Sequence, residues 1–161
     1  MKKTAVAMSM PEGKLPGFYA QVVKALAGSA ALFDRSKETL ILENASDLNT
    51  VSEIMNKYNI EYDTVELYVI PDQAQLRPAS DDYIFTGKTG RYYMDTELAF
   101  LFQLLPGSAD SDPQQALEQM EEHLLAHWVE NGQRVYVTQR HLDQLMEKTS
   151  SAYGCTIAEV H

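Results

Sequence analysis

Along the first seventy residues the spacing of apolar positions alternates between strand and helix periods, in the order strand, helix, strand, strand, helix, strand. Lys3–Met10 is short and apolar and runs into Pro11-Glu12-Gly13, which predicts a strand ending in a turn. Phe18, Val22 and Leu26 recur at fourfold spacing and predict a helix over Phe18–Ala27, closed by a left-handed Gly28. Ala30–Phe33 and Thr39–Glu43 are two short apolar runs, with Asp34–Glu38 as the hairpin loop between them. Ser46 or Asp47 caps the next helix, whose stripe is Leu48, Val51, Met55 and Tyr58, and Asn59 stops it. In Asp63–Ile70, Val65, Leu67 and Val69 face one way and Glu66 and Tyr68 the other, until Pro71 ends the strand. The order predicts an α+β fold: a ferredoxin-like βαββαβ sheet over residues 1–72, with two helices on one face.

The second half reads as a C-terminal α/β extension over residues 83–161, packed on the first unit or separate from it. Pro71–Asp82 is the linker candidate, with two prolines, a serine and three aspartates. Tyr83–Thr86 and Arg91–Met94 flank Gly87-Lys88-Thr89-Gly90 and predict a β-hairpin. Leu98–Leu105 is apolar nearly all round and predicts a short buried helix that Pro106-Gly107 stops. Pro113 suits the first turn of a longer helix running to about Glu130. Arg134–Val137, a helix capped by Thr138, and Thr156–Val160 complete a strand–helix–strand ending. Its two strands are either parallel neighbours or separated by another strand. The sheet face of the first unit needs a cover, from the second half or from a second copy.

Composition narrows the class. A chain of 161 residues that is 45% apolar holds one domain, or one domain with an extension, and has enough core to fold without staples. A single cysteine, Cys155, excludes an internal disulfide framework, and a reducing, cytoplasmic setting is the simplest. The apolar start Thr4–Met10 reads as a strand rather than a secretion signal, and no segment approaches a membrane span. The net charge of −10 divides as −2 over residues 1–80 and −8 over 81–161. Such a surface repels phosphate backbones, so direct nucleic-acid binding is not expected.

Few residues group into chemistry. His123 and His127 lie four apart on the predicted long helix and share a side, as two zinc ligands awaiting a third. The intervening Leu-Leu-Ala lacks the glutamate of the zinc-protease motif. Gly87-Lys88-Thr89 lacks the glycine five residues earlier that a phosphate loop needs, Asp82 standing there, so a hairpin turn is expected. Tyr83, Tyr92 and Tyr93 with Glu118, Glu121 and Glu122 are the candidate interaction surface.

Gly13-Lys14-Leu15-Pro16-Gly17-Phe18-Tyr19, continuing as Ala20-Gln21-Val22-Val23-Lys24-Ala25-Leu26, resembles the opening of an ACT-type regulatory domain. In that family a Pro-Gly pair after the first strand starts the first helix of a βαββαβ plan. The resemblance covers about residues 3–70. It implies that the loop at Pro16, Gly17 and Phe18 lies near a ligand or a dimer interface.

Together these features predict a non-catalytic binding or regulatory protein without a cofactor, acting through a protein partner or as a homo-oligomer. Two other readings stand beside it: a charge-mimic inhibitor of a nucleic-acid-handling enzyme, and a small metal-dependent enzyme using His123 and His127.

Overall fold

Alternation along Lys2–Ser9 (β1) sends Val6 and Met8 to one side of the strand and Ala5 to the other, and both sides are buried. The computed structural model describes every residue except Pro11, Lys14 and Leu15, so the part predicted for Pro11 in ending β1 lies outside the described residues. Helix α1 (Pro16–Ser29) presents Val22 and Leu26, and α2 (Leu48–Lys57) presents Val51 and Met55. All four join Val6 and Met8 of β1 and Leu40 and Leu42 of β3 (Thr39–Leu42) in one core, so both helices cover the same face. The fully buried members of that core contribute roughly 1.5–3 kcal/mol each by leaving water.

Strand β2 (Leu32–Ser36) pairs with β3, which pairs with β1, which pairs with β4 (Glu61–Ile70), and every one of these pairs is antiparallel. The sheet continues through β7 (Tyr92–Asp95) and β6 (Ile84–Thr86), giving the order β2-β3-β1-β4-β7-β6, and it curls into a half-barrel. Curling lets the face opposite the helices build its own cluster from Ala5, Ile41, Leu67 and Tyr93, with Phe33, Val65, Val69 and Phe85 packed against it.

A second sheet has the order β11-β8-β10-β9-β5, from Cys155–Glu159 (β11), Ala99–Pro106 (β8), Gln133–Gln139 (β10), Ala126–Glu130 (β9) and Gln75–Leu76 (β5). Each pair is antiparallel. Phe100, Phe102 and Tyr136 on one face pack with Met120 of α3 (Pro113–Met120) and Met146 of α4 (Asp143–Ala152). The chain divides into two compact units: residues 1–70 with 85–93, and residues 71–84 with 94–161. The hairpin predicted to open the second half thus belongs, over 85–93, to the first unit.

Several expectations change. The apolar run at 98–105 is strand β8, not a helix. A run apolar on all sides fits a two-faced strand as well as a buried helix, and here Phe100 and Phe102 turn to the helices while Leu101 turns away. The long helix predicted to Glu130 stops at Met120, followed by a 3-10 turn at Glu121–His123 and then β9. Trp128 and Val129 are strand formers, and five-residue pairing with β10 outweighs the helical spacing of Leu117, Met120 and Leu124. Thr138 lies in β10 instead of capping a helix, and its hydroxyl donates to the His123 carbonyl at 2.7 Å. Helix α1 runs through Gly28. Asp34 to Ser36 are strand, so the hairpin turn is Lys37-Glu38, with Lys37 at φ 51°. Asn59 does take the left-handed conformation, at φ 54°. Strand β8 lies between β10 and β11, which settles how the last two strands are placed.

Candidate functional site

In the first unit the polar centre is Asp34, a carboxylate in an apolar cluster. A β-bulge puts it there. Leu32 pairs with Leu42 and packs toward the helices, yet Asp34 pairs with Ile41 on the opposite face. Without the extra residue, Asp34 would point into the helix-side core with Leu32; the bulge re-aims it. Its oxygens accept from Thr89 Oγ1 at 2.7 Å, Tyr93 Oη at 2.7 Å, and the backbone N–H groups of Arg35 at 2.7 Å and Thr89 at 3.2 Å. Burial alone would raise its pKa, but these donors outweigh burial and hold it below the ordinary value of 3.8. Burial, and then the hydrogen bond to Asp34, push the Tyr93 phenol far above its ordinary range.

The turn that carries Thr89 is shaped around this carboxylate. A Cβ on Gly87 would fall on the Asp34 carboxylate and 2.8 Å from Tyr93 Cε2, so only glycine fits. The backbone N–H groups of the turn are committed: Gly87 to Arg91 O, Lys88 to Arg35 O, Thr89 to Asp34 and Gly90 to Gly87 O. None is left to cradle a phosphate, which gives the physical reason that Gly-Lys-Thr here is a hairpin turn. With Ser36 Oγ donating to Thr86 O at 3.1 Å, these bonds fasten the hairpin tip to β2, the other edge of the half-barrel.

Two cations rest on the Phe33 ring. Arg91 lies 4.6 Å and Lys3 Nζ 4.4 Å from the centroid of the Phe33 ring. Lys3 also donates to Glu43 O at 3.0 Å. Arg91 and Lys88 are exposed, and Arg35 and Phe33 are half-buried.

The residues singled out in the sequence are dispersed. Pro16 and Gly17 are exposed at the first turn of α1, and Phe18 packs edge-on against Tyr58, with centroids 6.0 Å apart. A Cβ on Gly17 would meet open space. Nearby in sequence to the end of α2, an open cleft of about 550 Å³ is lined by Ser9, Asn56, Ile60, Glu61, Tyr62 and Asp63. Tyr83 and Tyr92 are half-buried, but Tyr93 has no exposed surface, so it serves the core and Asp34 and not an outer face.

In the second unit Glu118, Glu121 and Glu122 are exposed; Glu121 pairs with Arg77 at 2.6 Å and Glu122 approaches His123 Nε2 at 3.4 Å. His123 sits in the 3-10 turn and His127 on β9 opposite Tyr136, so the helix side they were to share does not exist. Burial, followed by the charges of Arg134 and Arg77, lowers the His127 pKa against the opposing pull of Glu121. Among the described residues no group of three His, Cys, Asp or Glu is placed to hold a metal. No helix among them is long and apolar enough to cross a membrane.

Charge follows the units. The first holds nine Lys/Arg and nine Asp/Glu and is neutral; the second holds four and fourteen and carries the whole −10. Asp72, Asp81, Asp82, Glu97, Asp110, Glu118, Glu122 and Glu147 are exposed carboxylates of that second unit. No protein-family model matches the chain, and no curated protein matches it.

Proposed function

We propose that this is a non-catalytic binding or regulatory protein whose acidic second unit engages a basic protein surface. The observation that carries the reading is the segregation of charge: one unit is neutral and the other has a net charge of −10 with exposed carboxylates. A concentrated field of one sign steers a complementary partner and disfavours others. The strongest candidates for chemistry support the same reading. Asp34 is occupied by four donors, and His123 and His127 lie on different elements.

We further read the first unit as ferredoxin-like and related in plan to ACT-type regulatory domains. Support comes from the antiparallel order β2-β3-β1-β4 with α1 and α2 packed on one face. Beyond that plan, β7 occupies the outer edge of β4, and the hairpin tip bonds to β2. Edge-to-edge pairing of two copies through β4 is therefore blocked, and self-association would use another surface.

The test is co-isolation from the protein's own host at about 50 mM salt, repeated at about 0.5 M, where surface charges are screened within a few ångströms. A protein partner retained at low salt, released at high salt and lost with Glu118→Gln/Glu122→Gln is the expected result. Retention indifferent to both would overturn the reading.

A further inference from the structure

The sheet edges differ in how they are closed. In the six-stranded sheet, β2 is fastened by the hairpin tip: Lys88 N–H donates to Arg35 O at 2.9 Å and Ser36 Oγ to Thr86 O at 3.1 Å. Strand β6, at the other end, is three residues long. In the five-stranded sheet, β5 forms one edge and is two residues long. Strand β11 forms the other with five residues, Cys155-Thr156-Ile157-Ala158-Glu159, paired with β8 in unbroken register. It carries no proline, lysine or bulge, devices that keep an edge from taking another strand. We propose that this edge takes a cationic, extended segment of a protein partner as an added antiparallel strand. Such docking rests on the reading of the second unit as a surface for a basic partner, and gives that partner its binding mode.

The register decides which backbone groups are open. Gly107 N–H donates to Gly154 O at 3.0 Å, and Val160 N–H to Leu101 O at 2.9 Å. Antiparallel strands alternate bonded and non-bonded pairs, so Gly154, Thr156, Ala158 and Val160 turn their N–H and C=O toward β8. Cys155, Ile157 and Glu159 turn theirs to the outer side. Just before the strand, the outward carbonyl of Tyr153 accepts from Asp112 N–H at 2.9 Å, a backbone donor of the chain's own loop. An incoming strand continues that pairing along β11. Cys155 is buried, Ile157 half-buried and Glu159 exposed, so access widens toward the end of the strand. A residue set opposite Ile157 points to the same face, where Ile157 packs on Phe100, Phe102 and Met146, and an apolar side chain there extends that core.

Charge selects the occupant. The unit carries −10. Exposed Asp110 and Asp112 belong to the loop bonded to Tyr153 at one end of the edge, and Glu159, paired with Arg140, stands at the other. A second copy would set one such field against another, and an anionic segment would meet the same repulsion. A segment bearing Lys or Arg is drawn in by the field, and the backbone ladder then fixes its place.

Fluorescence anisotropy of a labelled Lys-Val-Lys-Val-Lys-Val-Lys peptide with the intact protein at about 50 mM salt tests this. Saturable binding is expected. Amide exchange should slow at Ile157 and Glu159 and stay unchanged at Thr156 and Ala158, which already bond to β8. The same peptide with its inner amides N-methylated keeps its charge and loses its ladder donors, and should bind at least about tenfold more weakly. Ile157→Pro removes an outward donor and no bond to β8, and should weaken the parent peptide by a similar factor, with thermal melting checking its fold. Equal binding of the methylated peptide, or protection away from β11, would overturn the edge proposal and leave the acidic-surface reading standing. Absent binding would overturn it too, while a salt-released partner from the host would still support that reading. Concentration-dependent dimers abolished by Ile157→Pro would assign the edge to a second copy and overturn the proposal.

Discussion

Asp34 is the residue on which the first unit turns. Asp34→Ala would leave the Tyr93 hydroxyl, the Thr89 hydroxyl and two backbone N–H groups without their acceptor. A loss of about 1–3 kcal/mol in urea unfolding is expected, since the Tyr93 hydroxyl would be left a buried unsatisfied donor while exposed Thr89 can turn to water. Gly87→Ala should cost about 1–3 kcal/mol in the same measurement, because its Cβ collides with the carboxylate and with Tyr93. The pH dependence follows from the direction of each shift. The Asp34 pKa is lower folded than unfolded, so its contribution is present above the unfolded value of 3.8 and fades as pH falls through the folded one. The Tyr93 pKa is raised from 10.0, so its contribution is present below pH 10.0 and is lost as pH rises above it. Urea midpoints of Asp34→Asn should therefore fall less steeply below pH 3.8 than those of the parent. Sequence reading placed Asp34 in a polar loop, because Asp-Arg-Ser-Lys-Glu has the composition of a turn. The bulge that re-aims it depends on pairing with β3, which no local pattern encodes.

Elements near the N-terminus were legible because their patterns are amphipathic. The stripe of Val51 and Met55 has one buried and one exposed side, and the first part of β4 alternates, although Leu67, Tyr68 and Ile70 bury both faces at its end. In the second half the apolar run at 98–105 has no exposed side along most of its length, so helix and strand periods fit it equally until pairing with β10 and β11 decides. The same ambiguity merged α3 with β9 and produced a histidine pair that the fold separates. Phe102, fully buried between β10 and the helices, tests the strand assignment: Phe102→Ala should cost about 3–5 kcal/mol while hydrogen exchange in β8 remains slow. At the start of α1, Gly17 meets no neighbour, so Gly17→Ala should raise stability by about 0.4–1 kcal/mol in thermal melting. A fall instead would point to a conformational need for glycine in that turn.

For the whole molecule the decisive property is where charge resides. The sequence alone shows an acidic second half, but division at residue 80 leaves −2 and −8. Folding sharpens this to zero and −10, because the hairpin bearing Lys88 and Arg91 joins the first unit, while Asp72 and Arg77 pass together to the second and cancel. This division into a neutral and a strongly acidic unit is the pattern on which the proposed binding role rests. Native mass spectrometry of the protein isolated from its own host at low ionic strength tests the account most directly. A stoichiometric protein complex that dissociates as salt rises is the predicted result. A monomer carrying a bound metal ion or small molecule would contradict it.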